Sequence, residues 1–294
     1  MTTILAIIGS ARPWGNCEIL AREALAGARD AGANTLALMR LTDLRVEQCT
    51  GCMACALRGQ PCPLSDDMMF LLEQVRQADA FLIAAPVYLV GPVAQAKRVL
   101  DRLLMWSSAP AWASASLKPA ATLTVGGLEP WRGVAAAFYN TLAMALGGEL
   151  MGWMDAYATG PGEVLLQPDV LATARDVGRR LVSHEPAKPL PSACPTCGAD
   201  FFRIQGDRVV CPICGQGGLI TMDAEGPRVC FDGSPRSDRW TPSGFHRHVQ
   251  DWVIPSGERF MAHRHEIKAL RARYDGLGET WIRPPAHAPD PTRR

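Results

Sequence analysis

The chain has little excess charge and no long apolar run, and each lack excludes something. Lys and Arg total 30 against 29 Asp and Glu, a net charge of +1. Domains that hold nucleic acid as a polyelectrolyte are strongly basic, so no nucleic-acid partner is expected. No run of about 18 uncharged apolar residues occurs, so no membrane span is expected. The opening M-T-T-I-L-A-I-I-G lacks the basic segment and longer apolar stretch of a secretory signal, which implies a cytoplasmic protein. The loop after the first apolar run is neither G-x-G-x-x-G nor G-x-x-x-x-G-K-S/T, so a Rossmann dinucleotide site and a P-loop both lose ground.

Cysteine is plentiful instead, with ten residues of which eight sit in two compact clusters. Secreted disulfide scaffolds are short and spread their cysteines, so a reducing compartment and metal ligation fit better. With 294 residues, 48% hydrophobic and 20% charged, the chain has material for one large or two modest globular domains.

The first cluster, Cys49, Cys52, Cys55 and Cys62, reads C-x2-C-x2-C-x6-C. Three closely spaced cysteines plus a fourth is the arrangement that iron–sulfur clusters use, and a [4Fe–4S] cluster is expected. A zinc site, a group of buried free thiols and a disulfide switch are the other readings. Gly51 and Gly59 let the backbone bend around a bulky group, and Pro61 and Pro63 stiffen the last ligand.

Around this stretch the chain alternates strands and helices. Residues 3–8 are a continuous apolar run, as in a strand buried on both faces. The loop G-S-A-R-P-W-G-N-C at 9–17 follows, and Ile19, Leu20, Ala24, Leu25 and Ala28 then recur at helical spacing. A strand, a short polar loop and a helix N-terminus make a phosphate cradle, with Ser10, Arg12 and Asn16 as side-chain donors. Further strands are expected at 34–41, 80–85, 120–125 and 150–158, and helices at 93–106, 131–147 and 169–183. A helix after Ser65-Asp66-Asp67 would take Ser65 as its N-cap and Met68, Met69, Leu71, Leu72 and Val75 as its apolar stripe. On helix 93–106, Lys97, Asp101 and Arg102 are expected on the outer surface. The alternation specifies a doubly wound parallel sheet, and the phosphate loop after its first strand points to the flavodoxin-like order 2-1-3-4-5, whose ligand is FMN. Pro86, Val87, Tyr88 and Leu89, with Gly126 and Gly127, fall beyond strand ends, where such a sheet binds its ligand.

These residues resemble a known family. G-S-A-R-P-W-G-N-C at 9–17, P-V-Y at 86–88 with K-x3-D-R at 97–102, and G-G at 126–127 are similar to the flavodoxin-like NADPH-dependent FMN reductases. With C-T-G-C-M-A-C, Cys62 and D-D-M added, the chain resembles their iron–sulfur flavoprotein branch. The resemblance implies that Ser10, Arg12, Gly15, Asn16 and Cys17 surround the FMN phosphate. Pro86, Val87, Tyr88 and Leu89 would line the flavin and its ribityl chain, and Gly126 and Gly127 would flank the isoalloxazine. Cys49, Cys52, Cys55 and Cys62 would hold the [4Fe–4S] cluster. It also implies an NAD(P)H or ferredoxin-type electron donor, a small-molecule acceptor, and a homodimer or homotetramer, for which Trp106, Trp112 and Trp131 suit an interface or the core equally. Two departures stand out. Cys17 occupies a position that is usually Ser or Thr, and the six-residue gap before Cys62 is one residue longer than the family's pattern. No general acid or base is assigned; Tyr88 is the one protic side chain placed near the flavin.

A Pro-rich stretch at 184–193 reads as a linker between a flavodoxin-like unit (1–185) and a second unit (186–283). There Cys194, Cys197, Cys211 and Cys214 form C-x2-C-x13-C-x2-C, two C-P-x-C-G knuckles around a hairpin turning at Gly206-Asp207. The set suits a structural zinc ribbon, with a single iron as the alternative. Cys230 is expected to be buried. His246, His248, His263 and His265 suit a solvated surface, residues 257–274 a helix, and 284–294 a disordered tail.

Overall fold

The computed structural model describes residues 1–107, 115–188, 193–224, 226–231 and 238–274. The expected disordered tail and Trp112 lie outside these residues, as does the side chain of Trp106. Continuous apolar runs become the buried strands β1 (Thr3–Ile8), β3 (Ala80–Pro86) and β4 (Lys118–Gly126), with β2 (Thr35–Arg40) and β5 (Gly148–Tyr157) at the edges. They pair in parallel in the order β2-β1-β3-β4-β5.

Alternation along the strands divides two cores between the faces of the sheet. Ile4, Ala6 and Ile8 face α1 (Asn16–Asp30) and α7 (Pro168–Ser183). Leu5, Ile7, Phe81 and Ile83 face α3 (Met68–Gln77), α4 (Ala94–Arg102) and α6 (Ala135–Ala145). Short helices α2 (Ala54–Leu57) and α5 (Leu104–Ser107) punctuate the connections.

Three local expectations are corrected. Ser65 does not cap α3; the Asp66 carboxylate accepts the Met68 N–H at 3.2 Å, one residue nearer the helix. Met69 is exposed rather than part of the buried stripe, which comprises Met68, Leu71, Leu72 and Val75. Arg102, expected on the surface, is only 3% exposed.

The C-terminal part begins with an antiparallel sheet, β6 (Arg203–Gln205), β7 (Arg208–Val210), β8 (Gly217–Asp223) and β9 (Gly226–Phe231). Cys230 lies exposed on β9, not buried, because an edge strand turns alternate residues to solvent. A long helical segment follows. Helix α8 (Pro242–His248) runs through a π-helical turn, Val249–Val253, into α9 (Ile254–Leu270). It begins earlier than the expected 257, because Thr241 caps it by accepting the Gly244 N–H at 3.0 Å and Pro242 occupies the first turn. The cysteine knuckles join the same core as Phe81 and Tyr139, so the ribbon is packed onto the sheet.

Candidate functional site

At the carboxyl ends of β1, β3 and β4 lies an open cleft of about 200 Å³. Ser10, Arg12, Gly15, Asn16, Cys17, Pro86, Val87, Tyr88, Gly126 and Gly127 all line it, together with Ala158, Thr159 and Pro161 from beyond β5. Of the expected flavin contacts only Leu89 is outside: it is 91% exposed at a loop tip.

The loop between β1 and α1 is held from beneath by a charged group not anticipated from sequence. Arg40, at the end of β2, donates to the Ser10 carbonyl (2.7 Å), the Arg12 carbonyl (3.2 Å) and Glu18 Oε2 (2.7 Å). Glu18 also accepts from the Trp14 N–H at 3.0 Å and from Arg22. Burial alone would raise the Glu18 carboxyl, but the Arg40 and Arg22 guanidiniums hold it down to about 2. The helix can therefore carry a carboxylate in its first turn without repelling an anion, since that charge is matched on the loop's far side. The first-turn N–H groups of α1 have no intrahelical partner and face the cleft end. Asn16 contributes less than expected. Its side chain donates to the carbonyls of Ala158 (3.2 Å) and Gly160 (2.9 Å) and accepts from the Val164 N–H, so it staples the far wall. Cys17 is 2% exposed, and burial pushes its thiol up to about 12, leaving it a neutral, weak donor.

The opposite wall is a tight turn. Tyr88 and Gly91 exchange N–H···O bonds of 2.9 and 3.0 Å, with Leu89 (φ 46°) and Val90 (φ 59°) both left-handed at its tip. Buried Tyr139 fixes both ends of the loop: its hydroxyl donates to the Pro86 carbonyl (2.7 Å) and accepts from the Val93 N–H (2.9 Å). The Val134 N–H donates to the Val90 carbonyl at 2.9 Å. Gly133 (φ 56°) makes that approach feasible, because a Cβ there would stand 2.1 Å from the Val90 oxygen. At Gly126 a Cβ would meet the Tyr157 ring at 3.3 Å, so glycine keeps the cleft floor open. An N–H-rich loop carrying Arg12, whose guanidinium has no partner among the described residues, facing an apolar and aromatic wall across a bare glycine floor, fits a phosphate joined to a planar ring.

The Cys49–Cys62 loop leaves the same sheet edge. Gly51, Met53 and Gly59 adopt left-handed conformations, curling it around α2. Cys49 and Cys52 are exposed, Cys55 and Cys62 half-buried. The Ala54 N–H and Thr50 hydroxyl hold the Cys52 thiol below its ordinary value. Cys55 is pushed up by burial and by the nearby Cys62 and Cys52 sulfurs, so these three share one neighbourhood. Their sulfurs do not collapse into the tight group that a single ion requires; among the described residues only the ribbon cysteines do. Buried Arg102 donates from Nη2 to Cys62 Sγ at 3.4 Å and from Nη1 to Asp66, while its Nε has no partner among the described residues. Spread thiols beside a buried cation with an unused N–H fit a bulky anionic cluster better than one metal ion. Ala56 of α2 packs against Val249, Val253 and Ile254, so the C-terminal helical segment lies over this loop.

The second cluster is built differently. Cys194, Cys197, Cys211 and Cys214 are fully buried, with all four sulfurs within 4.8 Å of one another. The two knuckles repeat one geometry. Cys194 N–H donates to Ala199 O and Gly198 N–H to Cys194 O; Cys211 N–H donates to Gln216 O and Gly215 N–H to Cys211 O. Four thiol donors crowded this closely fit zinc or a single iron. Asn140 of α6 donates to the Cys197 carbonyl at 2.8 Å, and Arg132 bridges Asp155 (2.7 Å) and Asp200, joining ribbon to sheet. His246, His248, His263 and His265 form no such group among the described residues.

Residues 2–152 match the NADPH-dependent FMN reductase family. The chain is similar to an iron–sulfur flavoprotein of Methanocaldococcus jannaschii, 37% identical over 34% of this chain and 50% of the relative. It is equally similar, at 37% identity, to one of Methanosarcina thermophila over 35% of this chain and 52% of the relative. It thus spans about half the length of these iron–sulfur flavoproteins. Flavone synthase cfoJ of Aspergillus candidus is 24% identical over 91% of this chain and 94% of its own. A solved flavone reductase shares the fold across 96% of this chain and all of its own, with a TM-score of 0.74 at 21% identity. The family match covers half of the sequence and the whole cleft up to β5: the chain belongs to the NADPH-dependent FMN reductase family.

Proposed function

We propose that this chain is an FMN-dependent oxidoreductase of iron–sulfur flavoprotein type, passing electrons between FMN and a [4Fe–4S] cluster. The observation that carries the reading is that the cleft at the sheet edge and the Cys49–Cys62 loop emerge side by side, each with a donor set matched to its group. Bound FMN supplies interconversion between two-electron and one-electron chemistry. The protein's part is binding and orientation. Arg12, Ser10 and the first-turn N–H groups hold the phosphate, Val87 and Tyr88 cover the ring, and Tyr139 and Asn16 fix the walls. Cys49, Cys52, Cys55 and Cys62 hold the cluster, and Cys194, Cys197, Cys211 and Cys214 hold zinc as a structural ribbon. NAD(P)H or a ferredoxin-type carrier is the electron donor, a small molecule the acceptor, and a homodimer or homotetramer the assembly.

The test is the iron, acid-labile sulfide, zinc and flavin content of anaerobically purified protein. About four iron, about four sulfide, about one zinc and about one FMN per chain are expected. FMN without sulfide after cluster reconstitution would reject the cluster reading.

A second reading, reduction or oxidation of a planar aromatic metabolite, is favoured by the near full-length likeness to flavone synthase cfoJ. Exposed Trp14, Tyr88, Leu89, Leu128 and Trp131, which are carried on the loops at this edge, would suit such a ligand. NAD(P)H-driven turnover of a flavone that survives Cys52→Ser and Cys55→Ser substitution would select this reading.

A further inference from the structure

We infer that Arg102 is a positioning residue that sets the reduction potential of the cluster through Cys62. The inference rests on the iron–sulfur reading above and concerns a residue that the sequence pattern places on the surface. Arg102 is 3% exposed, and a buried guanidinium is costly unless it is paired and fully hydrogen-bonded. Its pairing is fixed. Asp66, itself 1% exposed in its side chain, takes the Nη1 donor while accepting the backbone N–H of Glu47 (2.7 Å) and of Met68 (3.2 Å). A purely structural ion pair would be complete at that point. Here the same guanidinium also donates to Cys62 Sγ at 3.4 Å and keeps a buried Nε–H without a partner among the described residues. Buried donors are nearly always satisfied, so the unused N–H beside a ligand sulfur marks the place of an acceptor.

An N–H···S bond and a buried positive charge both stabilise the state that carries the extra electron, which raises the potential. Asp66 works in the opposite direction, limiting the positive field. Arg102 ends α4, whose N-terminal side follows the Tyr88 turn, so one helix links the flavin wall to the fourth cysteine.

The test is a potentiometric titration of reconstituted protein followed by electron paramagnetic resonance. Arg102→Gln should lower the cluster midpoint by at least a tenfold change in the reduced-to-oxidised ratio, about 59 mV for one electron. Arg102→Lys, which keeps the charge and loses the fork, should fall between it and the native value. Asp66→Asn should raise the midpoint, and Arg76→Gln, exposed at the C-terminal end of α3 beside the start of β4, should leave it unchanged. Opposite signs at Arg102 and Asp66 are the signature that a scaffold role would not produce. An unchanged midpoint in Arg102→Gln, or shifts of the same sign in both variants, would overturn the inference. Should either single variant lose the cluster, the double variant Asp66→Asn/Arg102→Gln leaves no unpaired buried charge and decides the matter. Arg102 donates to Cys62 directly and Asp66 acts only through Arg102, so a lowered midpoint supports the assignment, while an unchanged or raised midpoint, or loss of the cluster with the fold intact, overturns it. Native protein that binds no iron and sulfide would instead reject the iron–sulfur reading itself.

Discussion

Glu18 determines how the phosphate loop can be shaped, because Arg40 reaches the loop carbonyls only while it is also paired with that carboxylate. Its folded pKa of about 2 lies below the ordinary 4.5, so its stabilisation is fully present above pH 4.5 and is lost as pH falls toward 2. Glu18→Gln should therefore lower stability at neutral pH by roughly 2 kcal/mol and flatten the acid limb. Circular dichroism melts from pH 7 to pH 2 would show it; native and variant curves that run parallel through that window would refute the account. Tyr139→Phe removes one donor and one acceptor from the ends of the Tyr88 loop. It should cost about 1–3 kcal/mol and weaken FMN binding several-fold, as read by flavin fluorescence titration. Neither residue was legible in the sequence. A carboxylate at a helix start reads as a favourable dipole partner, and a tyrosine in an alanine-rich helix reads as core. Arg102 failed for the same reason: helical spacing assigns charged residues to the water side, and only the tertiary contact with Asp66 reverses it.

At the scale of elements, the strongest signals were the strands β1, β3 and β4, whose apolar runs have no other stable placement than a sheet covered on both faces. The cleft residues followed, because ligands of open sheets lie at strand ends, and every proposed contact but Leu89 lines the cavity. Leu89 falls outside the cavity because the loop turns more tightly than its residue types suggest: two non-glycine residues, Leu89 and Val90, take left-handed conformations that glycine or asparagine normally occupies. That strain is maintained by the Val90–Val134 hydrogen bond over Gly133. Gly133→Ala should accordingly destabilise the protein by about 2 kcal/mol or more and weaken FMN binding, while Val90→Gly should hold or raise the melting temperature. A Gly133→Ala protein that melts with native would show that the turn is not held from that side. The long C-terminal helical segment was half legible for a comparable reason. Gly244, Pro255 and Gly257 discourage a helix locally, and packing over Ala56 and Leu57 supplies what propensity lacks.

For the whole molecule, the two cysteine centres are mechanically connected even though their spacings in sequence look independent. The ribbon is fixed to the sheet by Asn140 and Arg132, and Trp240 and Arg239 donate to the Ile213 carbonyl within the second knuckle. From there the helical segment crosses to Ala56, so the cover over the Cys49–Cys62 loop is anchored on the ribbon. A structural zinc site contributes its binding free energy directly to folding, on the order of 10 kcal/mol, and the short strands β6 and β7 have little core of their own. Stripping metal from the ribbon, or replacing Cys211 with Ser, should unfold residues 194–231 and free the helical cover, while the five-stranded sheet keeps its circular dichroism. Limited proteolysis should then cut between 239 and 254, and thiol labelling of half-buried Cys55 and Cys62 in cluster-free protein should accelerate several-fold. Labelling of Cys49 and Cys52, already exposed, should change little. Equal rates at Cys55 before and after metal removal would mean that the helix holds its place without the ribbon, and the two centres would then be independent.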